Sequence, residues 1–183
     1  MNGSIFVVDV MPLLYRGYFA FLNNPRRTAA GVNTSPLFSL ASAMLQIIDR
    51  NSPTHLAMVF DSTTPTFRHK AYAGYKAQRK GMPEELAMQL PLTKEILTAL
   101  GCPVVTCEGW EADDILGTLS AAAAKAGEQC VLLTGDRDNL QLINENVSVR
   151  LATNKEPILY NEEKFRADYG FAPQALIDLK ALM

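Results

Sequence analysis

Ile5-Phe6-Val7-Val8-Asp9 is a short, unbroken apolar run that stops at a carboxylate. A run of this length, part β-branched, reads as a buried strand. The pattern returns in Leu56–Phe60, which runs into Asp61, and in Val131-Leu132-Leu133-Thr134, which runs into Gly135-Asp136-Arg137-Asp138. Pro103-Val104-Val105-Thr106 is a weaker strand, followed by the acidic cluster Trp110-Glu111-Ala112-Asp113-Asp114-Ile115-Leu116. Between the runs lie segments with helical spacing. Leu37, Leu40, Ala41, Met44, Leu45 and Ile48 form one, opened by Thr34-Ser35-Pro36 and ended by Asn51-Ser52-Pro53. Residues 84–100 form another, with a break or kink at Pro91 and a stop at Gly101. An alanine-rich helix runs from the acidic cluster to about Lys125.

Towards the end, Leu140–Ile143 reads as a short helix and Val147–Leu151 and Ile158–Tyr160 as two strands, with a polar turn at Thr153-Asn154-Lys155 between the strands. Glu162–Tyr169 is a helix stopped by Gly170, and Pro173 opens a last one that runs to Met183. Residues 10–33 are mixed, with a turn at Asn23-Asn24-Pro25, and 62–83 look irregular. Strands alternating with helices predict an α/β fold with a mainly parallel central sheet flanked by helices, in one domain spanning 1–183.

In such sheets ligands bind beyond the carboxyl ends of the strands. If the three apolar runs are neighbours, Asp9, Asp61 and Asp136 share one sheet edge, and Glu111-x-Asp113-Asp114 joins them at a helix start. Residues two apart on a helix lie about 200° apart around its axis, so Glu111 is expected before or in the first turn. A single aspartate after a strand commonly caps a turn. Several segments converging at one edge ask for another explanation, because two unit charges ~4 Å apart repel by about 4 kcal/mol at an effective dielectric of ~20. Compensating cations supply one. No histidine belongs to the set, since His55 and His69 lie elsewhere and read as surface or structural. Oxygen donors alone favour Mg²⁺ or Mn²⁺, and two such ions can drive in-line phosphodiester hydrolysis.

The net charge of −2 hides a segregation of sign. Residues 62–83 contain no acid but carry Arg68, Lys70, Lys76, Arg79 and Lys80, interleaved with aromatics, whereas 108–138 hold seven acids against Lys125 and Arg137. A polyanion bound through metal ions fits this division, with the basic segment supplying phosphate contacts and base stacking. Cys102, Cys107 and Cys130 show no metal-binding spacing and read as neutral thiols. No window approaches the ~20 apolar residues of a membrane span, and no leader or membrane partner is expected; the expected location is the cytoplasm, with the nucleoid. No G-x-G-x-x-G follows the first strand, which argues against a dinucleotide-binding protein.

Five motifs in order carry a resemblance. They are Leu14-Tyr15-Arg16 after Asp9, Thr66-Phe67-Arg68 after Val59-Phe60-Asp61, Tyr75-Lys76-Ala77-Gln78-Arg79, Glu111-Ala112-Asp113-Asp114, and Thr134-Gly135-Asp136-Arg137-Asp138. Together they resemble the 5′-nuclease (flap endonuclease) family, closest to the 5′→3′ exonuclease domain of bacterial DNA polymerase I. The resemblance implies a PIN-like sheet and a basic helical arch. It implies a two-metal 5′→3′ exonuclease and flap endonuclease acting on DNA 5′ ends and flaps and on RNA primer–DNA hybrids, with a DNA polymerase, fused or separate, as partner. It assigns Asp9, Asp61, Glu111, Asp113, Asp114, Asp136 and Asp138 to the metals and Lys76 and Arg79 to catalysis. Arg16, Arg68, Lys70, Tyr75, Lys76, Arg79 and Lys80 fall to nucleic-acid binding.

Three departures stand out. Val10 follows the first aspartate where the family has Gly, and Arg137 replaces a Lys. The family's Gly-Asp-x-Ser-Asp-Asn segment and helical duplex grip do not follow Asp178–Met183. One metal position is therefore expected to be weakened, and activity reduced. The competing readings are a PIN-like ribonuclease and a non-catalytic nucleic-acid or partner-binding module.

Overall fold

A computed structural model describes residues 4–153 and 155–182; Asn154 of the expected turn and Met183 of the expected last helix lie outside them. The first run forms β1 (Ser4–Asp9), and helix α1 (Val10–Ala20) starts directly after it. This corrects the mixed reading of 10–33. Val10, Leu13, Leu14 and Gly17 are buried at helical spacing, a stripe obscured in the sequence by Pro12 and by a glycine serving as a core position. Helix α2 (Ser35–Asn51) opens with Pro36 in its first turn, as expected, and β2 (His55–Val59) follows.

The basic segment is not one helix. It comprises a short α3 (Phe67–Ala71), then turns, then α4 (Glu84–Ala87). Gly74, Gly81 and Pro83, without an apolar stripe, give residues 72–83 nothing to hold a helix against a core. Helix α5 (Gln89–Ala99) is separated from α4 at Met88, which leaves Pro91 in its first turn, where a missing N–H is harmless. Then come β3 (Val104–Val105), α6 (Ala112–Lys125), β4 (Gln129–Thr134) and a 3₁₀ turn at Arg137–Leu142. Strands β5 (Val147–Leu151) and β6 (Ile158–Tyr160), then helices α7 (Glu162–Tyr169) and α8 (Leu176–Ala181), finish the described chain.

The strand order is β3-β2-β1-β4-β5-β6. All neighbours are parallel except β5 and β6. The chain builds outward from β1 in one direction, then returns to build from β4 in the other. The point of reversal lies between β1 and β4, where open α/β sheets form their ligand crevice.

Alternation explains why the runs are continuously apolar. Val7, Val59 and Leu132 face one core with Leu116, Val149, Phe165 and Leu176. Phe6, Val8, Met58 and Leu133 face the other, with Leu14, Leu40, Met44 and Leu97. Both faces of the sheet's centre are covered, so the runs in β1, β2 and β4 are apolar on successive residues.

Gly17 marks a close approach of α1 to α2: a Cβ there would lie 2.6 Å from Ser39 Cβ and 3.1 Å from Pro36 Cα. Gly17→Val is expected to lower stability by about 1–3 kcal/mol through overpacking, read as a lower denaturation midpoint with an unchanged m-value.

Candidate active site

Register places the site. Asp9 ends β1 opposite Val59, so Asp61 follows two residues beyond on the neighbouring strand. Val8 lies opposite Leu133, which sets Thr134, the last residue of β4, beside Asp9. The turn at Gly135 then delivers Asp136 to the same edge; it passes so close to α1 that a Cβ on Gly135 would sit 2.9 Å from Pro12 Cβ. Val10 is fully buried in the first turn of α1, where the helical backbone accepts a β-branched residue, so the missing glycine leaves the local fold intact.

Glu111 is the N-cap of α6, in extended backbone, as its spacing required. Its N–H donates to Asp114 Oδ2 at 3.0 Å. The Ala112 N–H donates to Asp61 Oδ1 at 2.8 Å, which pins the helix start to the end of β2. An open cavity of about 390 Å³ results, lined by Asp9, Asp61, Asp113 and Asp136 with Lys76 and Arg79.

The seven acids divide into unlike groups. Asp9 is only 3% exposed and accepts a hydrogen bond from Thr134 Oγ1 at 2.8 Å. Burial raises its pKa to about 7; the Thr134 bond opposes the rise, and Asp113, Asp61 and Asp136 add to it. Asp113 keeps an accessible surface within the cleft, yet the protein around it desolvates its carboxyl and raises its pKa. Asn139 Nδ2, donating at 2.9 Å, opposes this, while Asp136 and Asp61 reinforce it.

Glu111 and Asp114 are occupied differently. Arg68 grips Asp114 through two bonds of 2.7 and 2.8 Å and holds its carboxyl below the usual range. Burial pushes Glu111 up, but Lys76 Nζ at 2.7 Å and Tyr75 OH at 2.9 Å outweigh it and leave the carboxyl low. Asp138 stands aside, its Oδ1 2.7 Å from Lys180 Nζ on α8, and its N–H donates to Asp136 Oδ1. Among the described residues, no three acidic, histidine or cysteine side chains form a ready-made cage for one ion.

The basic residues also divide. Lys76 and Arg79 face the cavity. Lys76 holds a left-handed backbone with φ 55°, a strained conformation for a lysine, compensated by its bond to Glu111. Arg68 serves the acidic cluster. Arg16 reaches Lys155 O at 3.4 Å and borders a neighbouring cleft, and Lys70 and Lys80 are exposed. His69 is structural, its Nδ1 2.8 Å from Thr66 Oγ1 at the start of α3. Tyr15 and Tyr18 pack on the core, whereas Phe19 is exposed. Trp110 is also exposed.

Thr134 and Asn139 were not singled out as functional residues by the sequence. Both are buried. Thr134 donates to Asp9 and accepts the Asp136 N–H at 3.0 Å; Asn139 donates to Asp113. The available signal was a hydroxyl and an amide placed among paired acids, where each carboxylate needs a donor.

An open sheet with a carboxylate-lined cleft at its point of reversal, flanked by Lys76 and Arg79, defines an α/β protein with an acidic crevice. More particularly, the chain belongs to the 5′-3′ exonuclease, N-terminal resolvase-like domain family, which matches residues 4–170. It is 36% identical over its whole length to DNA polymerase I of Bacillus caldotenax, of which it covers 21%; it thus spans about a fifth of such relatives. Its fold is that of the T5 D15 protein co-crystallized with metal ions, with TM-score 0.74, 20% identity, and 98% of this chain and 66% of that one covered. The bacteriophage T5 D15 flap endonuclease in a complex with DNA and metal ions gives TM-score 0.69 at 21% identity over 98% of this chain and 66% of that one.

The raised pKa of Asp9 sets a pH dependence. From about pH 4 to 7 the folded chain keeps a proton that the unfolded chain releases, so stability falls as pH rises and levels off above 7. In metal-free solution, Asp9→Asn is expected to be more stable than the parent at pH 8 by up to about 4 kcal/mol. The gap should close towards pH 4. Urea denaturation at both pH values with a chelator checks this.

Proposed function

We propose that this chain is a divalent-metal-dependent 5′→3′ exonuclease and 5′-flap endonuclease domain. It hydrolyses phosphodiester bonds in DNA bearing 5′ ends or flaps, and in RNA primer–DNA hybrids. The observation that carries the reading is the pairing, across one cavity, of an acidic floor (Asp9, Asp61, Asp113, Asp136) with the cations of Lys76 and Arg79. Family membership supports it, as does a flap endonuclease of the same fold solved with DNA and metal ions. The relatives' being DNA polymerases supports a role beside polymerisation, in the same chain or with a partner.

The donor set fits Mg²⁺ or Mn²⁺. The acids that line the cleft offer carboxylate oxygens with no histidine or cysteine among them, and burial together with the neighbouring acids keeps the proton on Asp9 towards neutrality, a charge imbalance that a divalent cation would offset. Asp9, Asp61, Asp113 and Asp136 would hold the metal, with Glu111, Asp114 and Asp138 joining once their ion pairs open. When bound, divalent ions supply an activated water and charge neutralisation at the leaving oxygen.

The chain's own residues do the rest. Thr134 and Asn139 aim Asp9 and Asp113 into the cleft, donating to one oxygen of each. Lys76 and Arg79 draw the phosphodiester over the acids and offset its charge. Tyr75 and Lys76 leave Glu111 as they engage the substrate. Arg16, Lys70 and Lys80 lie outside the cavity and contribute phosphate contacts along the strand.

A labelled 5′-flap oligonucleotide with Mg²⁺ or Mn²⁺ is expected to be cut near the junction, and Asp113→Asn and Lys76→Ala should each slow cutting by about 100-fold or more. Equal cutting by both variants and the parent would overturn the reading. Mn²⁺ in excess should also raise the melting temperature, by linkage, beyond the effect of matched ionic strength. With Lys76→Met, Glu111 loses its closest ion pair and keeps only the Tyr75 hydroxyl and the more distant Arg68, and Mn²⁺ is expected to bind several-fold more tightly in a calorimetric titration. Unchanged affinity would place Glu111 outside the metal site.

A further inference from the structure

Phe67 and Trp110 meet on the outside of the molecule. Their ring centroids are 5.0 Å apart and tilted by 55°, and they remain 46% and 47% exposed. Phe67 opens α3, Trp110 lies in the loop before α6, and backbone bonds clamp the two together. The Phe67 N–H donates to Gly109 O at 3.2 Å, and the Ser62 N–H to Trp110 O at 3.4 Å. Gly109, at φ 79°, makes the turn that precedes the indole. Neither ring belongs to the two cores, which are complete without them. A pair of large rings held rigidly yet half in water is not explained by folding alone.

Its surroundings select an occupant. The Arg68 guanidinium carbon lies 4.5 Å from the centroid of the Phe67 ring, while its nitrogens hold Asp114. Lys70 follows on the same short helix, in a segment that is free of acids from residue 62 to 83. Trp110 is bonded directly to Glu111, the cap of the helix that starts at the acidic cleft. The rings thus form an aromatic step with cations beside it, and Trp110 lies two residues along the chain from Ala112, which lines the cleft. Flat apolar faces beside cations suit an unpaired nucleobase with its phosphate, since every base offers a π-face.

We propose that Phe67 and Trp110 form a stacking platform for an unpaired base of the single-stranded 5′ segment outside the cleft. This rests on the nuclease reading. The platform gives preference for substrates with a single-stranded 5′ portion over blunt duplex, without sequence specificity.

Trp110 is the only tryptophan of the chain, so its fluorescence reports the platform directly. Binding is measured in chelator, without cleavage, by tryptophan emission and by anisotropy of labelled DNA. The probes are oligo(dT), a 5′-flap duplex and a blunt duplex. Oligo(dT) and the flap are expected to quench Trp110, and the blunt duplex to leave it unchanged. Trp110→Ala should weaken flap binding about 5- to 150-fold, and Trp110→Phe should restore most of it. Far-ultraviolet circular dichroism identifies any misfolded variant, and the parent's quenching does not depend on the variants folding.

If the flap binds by anisotropy with no change in tryptophan emission, and Trp110→Ala binds as the parent does, the platform is wrong and the nuclease reading stands. If the parent neither binds nor, with Mn²⁺, cuts any of the DNAs, the underlying reading fails as well. Concentration-dependent dimerisation abolished by Trp110→Ala would assign the rings to a second copy and also overturn the proposal.

Discussion

Carboxylates that repel one another share a cleft because parallel strands end together. β1, β2 and β4 are hydrogen-bonded neighbours, and their register sets Asp9, Asp61 and Asp136 at one edge irrespective of charge. The helix start that carries Asp113 is tied there by the Ala112 N–H on Asp61. Backbone pairing and two covered sheet faces supply the rigidity; the side chains bear the electrostatic strain. Asp9 shows it most clearly, with a pKa near 7 produced by burial and neighbouring acids.

The strain is relieved locally and unequally. Asp113 and Asp114 are adjacent in sequence but point about 100° apart on their helix. One is desolvated in the cleft, beside Asp136, and is raised; the other meets Arg68 and is lowered. Glu111 is lowered in turn by Tyr75 and Lys76. The basic segment therefore has two tasks. Part of it neutralises the helix start, and part of it, through Lys76 and Arg79, faces the cavity. Lys76 belongs to both, and its left-handed backbone is where the strain of that double role is visible. A segment of turns held to the body mainly by such polar contacts can change partners more readily than a packed helix.

Helix α8 reaches the same edge from the far side. Lys180 pairs with Asp138, and Leu176 enters the core with Leu140 of the 3₁₀ turn. The turn that carries Asp136 and Asn139 is thereby supported by residues about forty positions later in the chain. The site depends on the whole described sheet and its flanking helices.

The sheet and the position of its acids were legible in the sequence because the central parallel strands β1, β2 and β4 contain continuous apolar runs that lead to Asp9, Asp61 and Asp136. Glu111's place before the helix was legible from residue spacing, and β5 and β6 as two short runs with a polar turn between them. Helix α1 was not legible: its buried stripe uses Gly17, whose value is the closeness it allows to Ser39, a property of two helices and not of one. The irregular character read from residues 62–83 holds for the turns at 72–83, where the helical arch that the resemblance implied has no apolar face to pack. Tertiary structure alone decided which acids face the cleft and which are paired with cations. It also decided that Thr134 and Asn139 orient Asp9 and Asp113, and that Trp110 stands outside the core. Covalent order and periodicity fix local conformation, whereas the charge state and direction of a polar side chain depend on groups brought near it by distant parts of the chain.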